Sequence, residues 1–233
     1  MNKIYRYQNT SYQNMWDKET AIIDAIRSGE LDQALLLYQC QQQTLVLPAG
    51  KKWQATPEVS QALAASGWAV LARRSGGAPV PQSSGMINVS HFYLWPEDKA
   101  YSVKGAYEDL SMVLGLFFKG FGVSTQTHAT PFSFCDGDYN VNIDGRKIVG
   151  TAQRVMSVRQ GRKLVLAQAC VLIDAAVDEL VAPVNQINAL HGYDANIRAN
   201  AHTCLSEHVE ALPSTDVLYS KLTQAFIYSG LYG

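Results

Sequence analysis

The chain predicts an α+β fold built as a single domain over residues 1–233, and three observations carry that prediction. Tyr139, Val141 and Ile143 alternate with Asn140 and Asn142. Asp144-Gly145 then supplies the two-residue signal of a tight hairpin, whose return strand begins at Arg146-Lys-Ile-Val-Gly150. Leu110, Val113, Leu114 and Phe117 recur at helical spacing within Tyr107 to Phe118, the clearest helix. Leu164 to Ile173 is almost wholly apolar, which fits a strand buried on both faces. With 47% hydrophobic residues, no internal repeat, no low-complexity tract and no convincing linker, the chain has the material for one substantial core.

Taken in order, residues 3 to 7 read as a short strand, and Asn14 to Arg27 as a helix with Trp16, Ile22, Ile23 and Ile26 near one face. Ser28-Gly29 ends it. Extended runs follow at Ala34 to Cys40 and Thr44 to Leu47, closed by Pro48-Ala-Gly50, and Pro57 to Ala65 is a helix with proline in its first turn. Trp68 to Arg73 and Met86 to Tyr93 are apolar strands; the intervening Arg74 to Gly85 is too rich in Gly, Pro and Ser for regular structure. A strand is expected at Val123 to Thr127, after the helix that Gly120 ends. Gln160-Gly161-Arg-Lys163 marks a turn. Ala175 to Val181 and Ser214 to Tyr228 read as helices, separated by a polar segment from Asn185 to Thr203.

Nineteen basic residues against twenty acidic ones leave a net charge of −1, which removes any electrostatic case for nucleic acid, an anionic membrane or a polyanionic partner. No apolar run reaches transmembrane length, and the polar start Met-Asn-Lys-Ile-Tyr-Arg lacks the hydrophobic segment of a secretory signal, so a cytoplasmic location is expected. Cys40, Cys135, Cys170 and Cys204 are widely spaced, without a Cys-x-x-Cys pair. That pattern argues against a zinc knuckle or dithiol motif and for reduced thiols, and no metal site is expected.

With Asp144-Gly145 as the loop, Ile143 faces Arg146, Asn142 faces Lys147 and Val141 faces Ile148. Lys147 then shares a polar face with Asn142, and on that ground alone it is a solvated strand residue. Upstream, Arg73-Arg-Ser-Gly-Gly77 lies between two strands. Glycines let backbone amides approach a ligand and the arginine adds a fixed charge, so this loop can cradle a phosphate or carbonyl oxygen; an ordinary surface loop has the same composition. His128, seven residues before Cys135, is a candidate base if the loop folds suitably, whereas His91, His191, His202 and His208 lack metal-ligand spacing. Cys170, within its apolar run, reads as core.

Arg73-Arg-Ser-Gly-Gly77, Gly85-Met-Ile-Asn88, Asp144-Gly-Arg-Lys-Ile-Val-Gly-Thr-Ala-Gln-Arg154 and Ala201-His-Thr-Cys-Leu-Ser-Glu207 follow one another in an order that resembles the lipoate-protein ligase and octanoyltransferase family, related to biotin-protein ligases. The resemblance implies a biotin/lipoate-ligase-like catalytic domain with mixed β-sheets flanked by helices. It implies that Lys147 contacts the acyl carbonyl and phosphate of an activated acyl group, and that Arg73, Ser75, Gly76, Gly77 and Asn88 belong to the same substrate site. An ammonium beside a developing oxyanion is stabilising in a water-poor cleft. Gly150, Thr151 and Ala152 are small enough to admit an extended acyl chain.

The family divides into ligases that use ATP and Mg²⁺ to make an acyl-adenylate and transferases that hold the acyl chain on a cysteine. Cys135, twelve residues before Lys147, resembles the cysteine of transferases that move octanoate from the glycine-cleavage H protein to other lipoyl domains. The implied function is transfer of octanoyl or lipoyl through a thioester on Cys135, without a cofactor. The acyl group would come from a carrier protein or lipoyl domain and pass to the lysine of a lipoyl-domain protein, such as a 2-oxoacid dehydrogenase E2 or the H protein. Along an unbroken strand Cys135 would lie about 23 Å from Asn142 at ~3.3 Å per residue, so the loop must fold back, and Gly137 is where it can turn. A nearby ammonium also favours the thiolate.

Departures from the family pattern keep two alternatives open. Ala78 stands at the loop's third glycine, Gln82-Ser83 at the usual His-Asp pair, and Gln168-Ala169 at the His-Gly of the next buried strand, which puts ATP-dependent adenylation through Lys147 in question. Pro79 and Pro81 suit a non-catalytic relative that binds acyl groups or lipoyl domains. No separate C-terminal accessory domain fits after Glu207.

Overall fold

A computed structural model describes residues 1–73 and 76–233. Its strands are β1 (Asn2–Thr10), β2 (Gln33–Cys40), β3 (Thr44–Leu47), β4 (Ala69–Ala72), β5 (Val80–Gln82), β6 (Met86–Leu94), β7 (Gln126–Thr127), β8 (Val141–Ile143), β9 (Arg146–Ser157) and β10 (Lys163–Leu172). Its α-helices are α1 (Tyr12–Ser28), α2 (Pro57–Ala64), α3 (Val103–Lys119), α4 (Val177–Leu190) and α5 (Thr215–Tyr228). Seven strands form a mixed sheet in the order β1-β2-β6-β10-β9-β8-β7, and β4-β3-β5 form a smaller one.

The large sheet is covered on both sides, and β2 shows why its sequence lacks alternation. Ala34, Leu36 and Tyr38 join a core with Met15, Ile22, Ile23 and Ile26 of α1, while Leu35 and Leu37 join the core that includes Leu110, Val113 and Phe117 of α3 and Leu222 and Phe226 of α5. Both sets of strand residues are buried because neither face meets water. Helix α1 starts where Ser11 Oγ accepts from Asn14 N at 3.1 Å and ends at Gly29, whose φ of 83° favours glycine. The small sheet packs against α2 and α4.

Several sequence expectations need correction. Val80–Gln82 is a strand inside the stretch expected to be irregular; it pairs with β3 at the sheet edge, with Pro81 opposite Leu45, where a missing N–H is tolerated. The strand expected at Val123 to Thr127 is reduced to two residues. Tyr139 lies outside β8 and stacks on Tyr107 of α3, ring centroids 4.3 Å apart. Helix α4 begins at Val177 and continues through Pro183 to Leu190, so the first six residues of the supposed polar separator are helical, and the apolar stripe of Leu180, Val184 and Ile187 is buried.

Candidate active site

The hairpin of β8 and β9 departs from simple two-residue register in one respect that creates the site. Ile143 pairs with Arg146 and Asn142 with Lys147 as expected, but Val141 pairs with Val149, not Ile148. The extra residue is a β-bulge, and because side-chain direction has period two, one inserted residue moves Lys147 onto the face of Gly150. A Cβ built on Gly150 would lie 3.3 Å from both Cε and Nζ of Lys147. Lys147 is 1% exposed and Asn142 0%. The hairpin register alone left a solvated Lys147 open; both residues are buried, and the small size of Gly150 makes room for the lysine itself.

Lys147 carries its charge into this interior by binding the preceding loop. Nζ donates to Phe134 O at 2.6 Å and Cys135 O at 3.0 Å, and stands 5.0 Å from the Phe134 ring centroid. Burial nevertheless pulls its pKa down to about 8, against the opposing pull of Cys135, Cys170 and Asp136. The loop does fold back. Phe132 and Cys135 make the reversal with φ of 66° and 50°, and Gly137 is absent from the positive-φ positions. Gly137 instead opens the next turn, accepting from Asn140 N at 3.1 Å. The returning segment is anchored by Asn142, whose Nδ2 donates to His128 O and Asn140 O, both at 3.0 Å, and by Thr130 N donating to Asp136 Oδ1 at 2.5 Å.

His202 holds the same loop from the other side. Its Nε2 accepts from Phe134 N at 3.2 Å, which leaves Nδ1 to donate to Arg198 O at 2.9 Å, and its ring stacks on Phe134 at 4.3 Å. Thr203 N donates to Lys147 O at 2.9 Å, so the segment of His202 lies beside β9 as a short bridge. Burial, then the Lys147 charge, pushes the His202 pKa down to about 4, keeping the acceptor nitrogen unprotonated. The Phe134–Cys135 unit is thus fixed at its N–H by a neutral imidazole and at its carbonyls by an ammonium. Metal-ligand spacing gave no sign of this histidine; its place within the Ala201 to Glu207 block was the available signal.

These groups open on a pocket of about 80 Å³, room for several waters or a narrow chain. Arg73, Asn88, Cys135, Lys147, Gly150, Thr151 and Ala152 all line it. Ser75 lies outside the described residues. Gly77, at φ 115°, approaches the thiol: a Cβ there would be 3.8 Å from Cys135 Sγ and 2.7 Å from Arg73 Nη2. Arg73 Nη2 itself donates to Gly76 O at 2.9 Å and Ala78 O at 3.0 Å. Asn88 Nδ2 donates to Gln82 Oε1 at 2.8 Å, and Thr151 Oγ1 to Tyr139 O at 2.7 Å, so both support walls of the cleft. His128 turns to Ala129 O at 2.7 Å and is not among the pocket residues.

Cys170 is misplaced by the sequence reading. It pairs across the sheet with Asn88 and Gly150, shares their face and lines the pocket. Gln82 Nε2 donates to its Sγ at 3.4 Å, but burial pushes the thiol up to about 12, so at neutral pH it is a protonated wall residue. Cys135 is half-buried at the cleft, on a turn whose carbonyls touch the lysine.

The Cys135 thiol and the buried Lys147 amine line one pocket with the small residues Gly150 and Ala152. The chain matches the Lipoyl protein ligase A/B catalytic domain over residues 11–227. It is 30% identical over 223 residues to an uncharacterized protein of Cupriavidus necator, covering 89% of this chain and 87% of that one. It is 26% identical over 137 residues to an octanoyl-[GcvH]:protein N-octanoyltransferase of Geobacillus kaustophilus; the match takes in 58% of this chain and 48% of the relative, about half the relative's length. A crystal structure of lipoate-protein ligase A bound with ATP superposes with a TM-score of 0.72 at 14% identity, covering 99% of this chain and 85% of that one, a likeness of fold. The protein belongs to the lipoyl protein ligase A/B catalytic-domain family, a family of enzymes. Among the described residues, no helix is long and apolar enough to cross a membrane.

Proposed function

We propose that the protein transfers an octanoyl or lipoyl group to the lysine of a lipoyl-domain protein through a thioester on Cys135. The observation that carries this reading is the placement of the Cys135 turn on the Lys147 ammonium, 3.0 Å from Nζ to the cysteine carbonyl, with both residues lining one pocket. In the first half-reaction the Cys135 sulfur bonds to the acyl carbon, the donor's bond to that carbon breaks, and the thiol proton leaves with the donor. In the second, the acceptor amine bonds to the acyl carbon, the S–C bond breaks, and the amine proton returns to sulfur. Lys147 polarises the thioester carbonyl as ammonium, and with a pKa near 8 it is suited to hold the proton in transit.

The H protein as donor or acceptor is suggested by the name of the Geobacillus relative, and an acyl carrier protein is the other donor to be tested; E2 lipoyl domains are the further acceptors. Four free cysteines suit a reducing cytoplasm. The competing ligase reading, with ATP and Mg²⁺ activating a free acid, uses the same Lys147; Ala78, Gln82-Ser83 and Gln168-Ala169, where the ligase pattern has glycine, His-Asp and His-Gly, weigh against it. No step is derived through ATP. Cys135→Ser is expected to abolish the acyl adduct seen by intact mass spectrometry and to stop transfer from octanoyl carrier protein or octanoyl H protein. Full transfer by that variant would remove the nucleophile assignment.

A further inference from the structure

Acyl transfer needs an amine at Cys135, and the cations next to the sulfur oppose one. A lysine side chain arrives as an ammonium near pH 7, because its ordinary pKa is about 10.4. A Cβ on Gly77 would lie 3.8 Å from Cys135 Sγ and 2.7 Å from Arg73 Nη2, and Lys147 Nζ stands 3.0 Å from Cys135 O. Two cations around one thioester repel a third. Both also line the pocket that would hold the acyl chain, so the acceptor has to enter from the solvent side of the turn. That side is Asp136-Gly137-Asp138, three exposed residues, and a Cβ built on Gly137 would meet nothing within 4 Å.

Asp136 is fixed at this opening. Its Oδ1 accepts from Thr130 N at 2.5 Å, and the buried Thr130 donates in turn from Oγ1 to Asn142 Oδ1 at 2.5 Å. That arrangement leaves Oδ2 to meet a ligand. Burial lowers the Lys147 pKa, and Asp136 is among the groups that oppose the shift, so its charge reaches the site. Next along the chain, Tyr139 stacks face to face on Tyr107, with centroids 4.3 Å apart and planes 1° apart. The Tyr107 phenol, raised first by burial, also feels the charge of Cys135. A carboxylate for the head and aromatic rings for the stem are the chemistry that receives an alkylammonium. The transfer steps above assign nothing to Asp136 or to the tyrosine pair.

We propose that Asp136 receives the ε-ammonium of the acceptor lysine, with Tyr139 and Tyr107 along its alkyl stem, and presents it to the acyl carbon on Cys135. This rests on the transferase reading above. The paired ammonium releases one proton to solvent water. Its nitrogen then bonds to the acyl carbon, the S–C bond breaks, and the second amine proton goes to sulfur. Asp136 offsets the repulsion from Arg73 and Lys147 while the acceptor docks, so it acts on acceptor binding more than on the chemical step.

The test acylates the full chain with octanoyl carrier protein or octanoyl H protein, removes the donor, and follows loss of the Cys135 adduct by intact mass spectrometry. One chase uses an E2 lipoyl domain; the other uses hydroxylamine, which is uncharged at pH 7. Asp136→Asn keeps an oxygen for Thr130 N and removes the charge. Its KM for the lipoyl domain is expected to rise by about tenfold, the scale of one hydrogen bond between charged groups, with kcat changed far less. The hydroxylamine chase, which brings no cation, should lose much less. Asp136→Glu should recover most of the KM, and Tyr139→Leu should raise it by about twofold to fivefold. An Asp136→Asn chain with the native KM, with equal losses in both chases, or unable to take up the acyl group overturns the acceptor role and leaves the transferase reading intact. Absence of the adduct on the native chain overturns both.

Discussion

Two stretches of one sheet face, both beneath α1, follow the same side-chain parity to opposite ends. At one end Phe92, Leu164 and Leu166 pack with Ile22, Ile23 and Ile26 into an apolar core. A few residues along the same strands, Asn88, Gln168 and Cys170 stand opposite Gly150 and Ala152, and the face becomes a cleft. The difference lies in two devices: small residues on β9 that leave a trough, and the bulge that turns Lys147 into it. Polar side chains occupy core positions there because nearly every one has a partner, and the loop carbonyls of Phe134 and Cys135 supply those of Lys147.

Substitution should separate the two stretches cleanly. Lys147→Met is expected to lower kcat/KM for acyl transfer by ~10²–10³-fold, the scale of losing a positioned charge at a developing oxyanion. Its denaturation midpoint should move less than that of Phe92→Ala, because removing a buried cation also removes its desolvation cost. Phe92→Ala should lose about 3–5 kcal/mol in a denaturant titration, with the adduct on Cys135 still forming in the folded fraction. A Lys147→Met protein as unstable as Phe92→Ala would make the lysine a structural residue and erase the contrast.

A smaller effect sharpens the role of the loop clamp. His202→Phe keeps a ring against Phe134 but leaves Phe134 N–H without its acceptor, and acylation of Cys135 should slow by about tenfold, one lost buried hydrogen bond. His202→Gln offers an acceptor and a donor at similar reach and should recover most of the rate. The pH–rate profile distinguishes positioning from simple destabilisation. If the Phe134 and Cys135 carbonyls drift from Nζ in His202→Phe, the limb assigned to Lys147 should move below its value near pH 8.

A separate effect is on stability against pH. His91, pushed down to about 3 by burial, and His202, near 4, stay neutral in the folded protein while their unfolded counterparts take up protons below about 6.5. Glu19, near 7, does the reverse, holding a proton that the unfolded chain releases above about 4.5. Between these limits the unfolded state binds two protons at these sites and the folded state one. Their combined effect lowers stability by roughly 1.4 kcal/mol per pH unit as pH falls from about 6.5 to 4.5. Glu19→Gln removes the offset and should about double that slope.

Much of the fold was readable because it rests on local chemistry. Asp144-Gly145 marked the hairpin, Leu110 to Phe117 marked α3, and the apolar run at Leu164 marked a strand with both faces covered. What failed involved partners distant in sequence. Val80–Gln82 becomes a strand because β3 offers an edge, and α4 passes Pro183 because its apolar stripe has a core to fill. At the site, Lys147 and the cleft residues came from motif order, but the bulge did not, since nothing in Lys-Ile-Val-Gly says which residue is surplus. The inward turn of Cys170, the acceptor nitrogen of His202 and the carboxyl of Glu19 depend on three-dimensional neighbours and had no local signature.

The most direct test is to map the acyl adduct on the native chain after incubation with octanoyl carrier protein, octanoyl H protein, or octanoate with ATP and Mg²⁺. Peptide mass spectrometry with hydroxylamine treatment should find one labile octanoyl thioester, on Cys135, formed from a protein donor without ATP. A thioester on Cys170, or acyl transfer that requires ATP and releases pyrophosphate while Cys135 stays unmodified, would contradict the account.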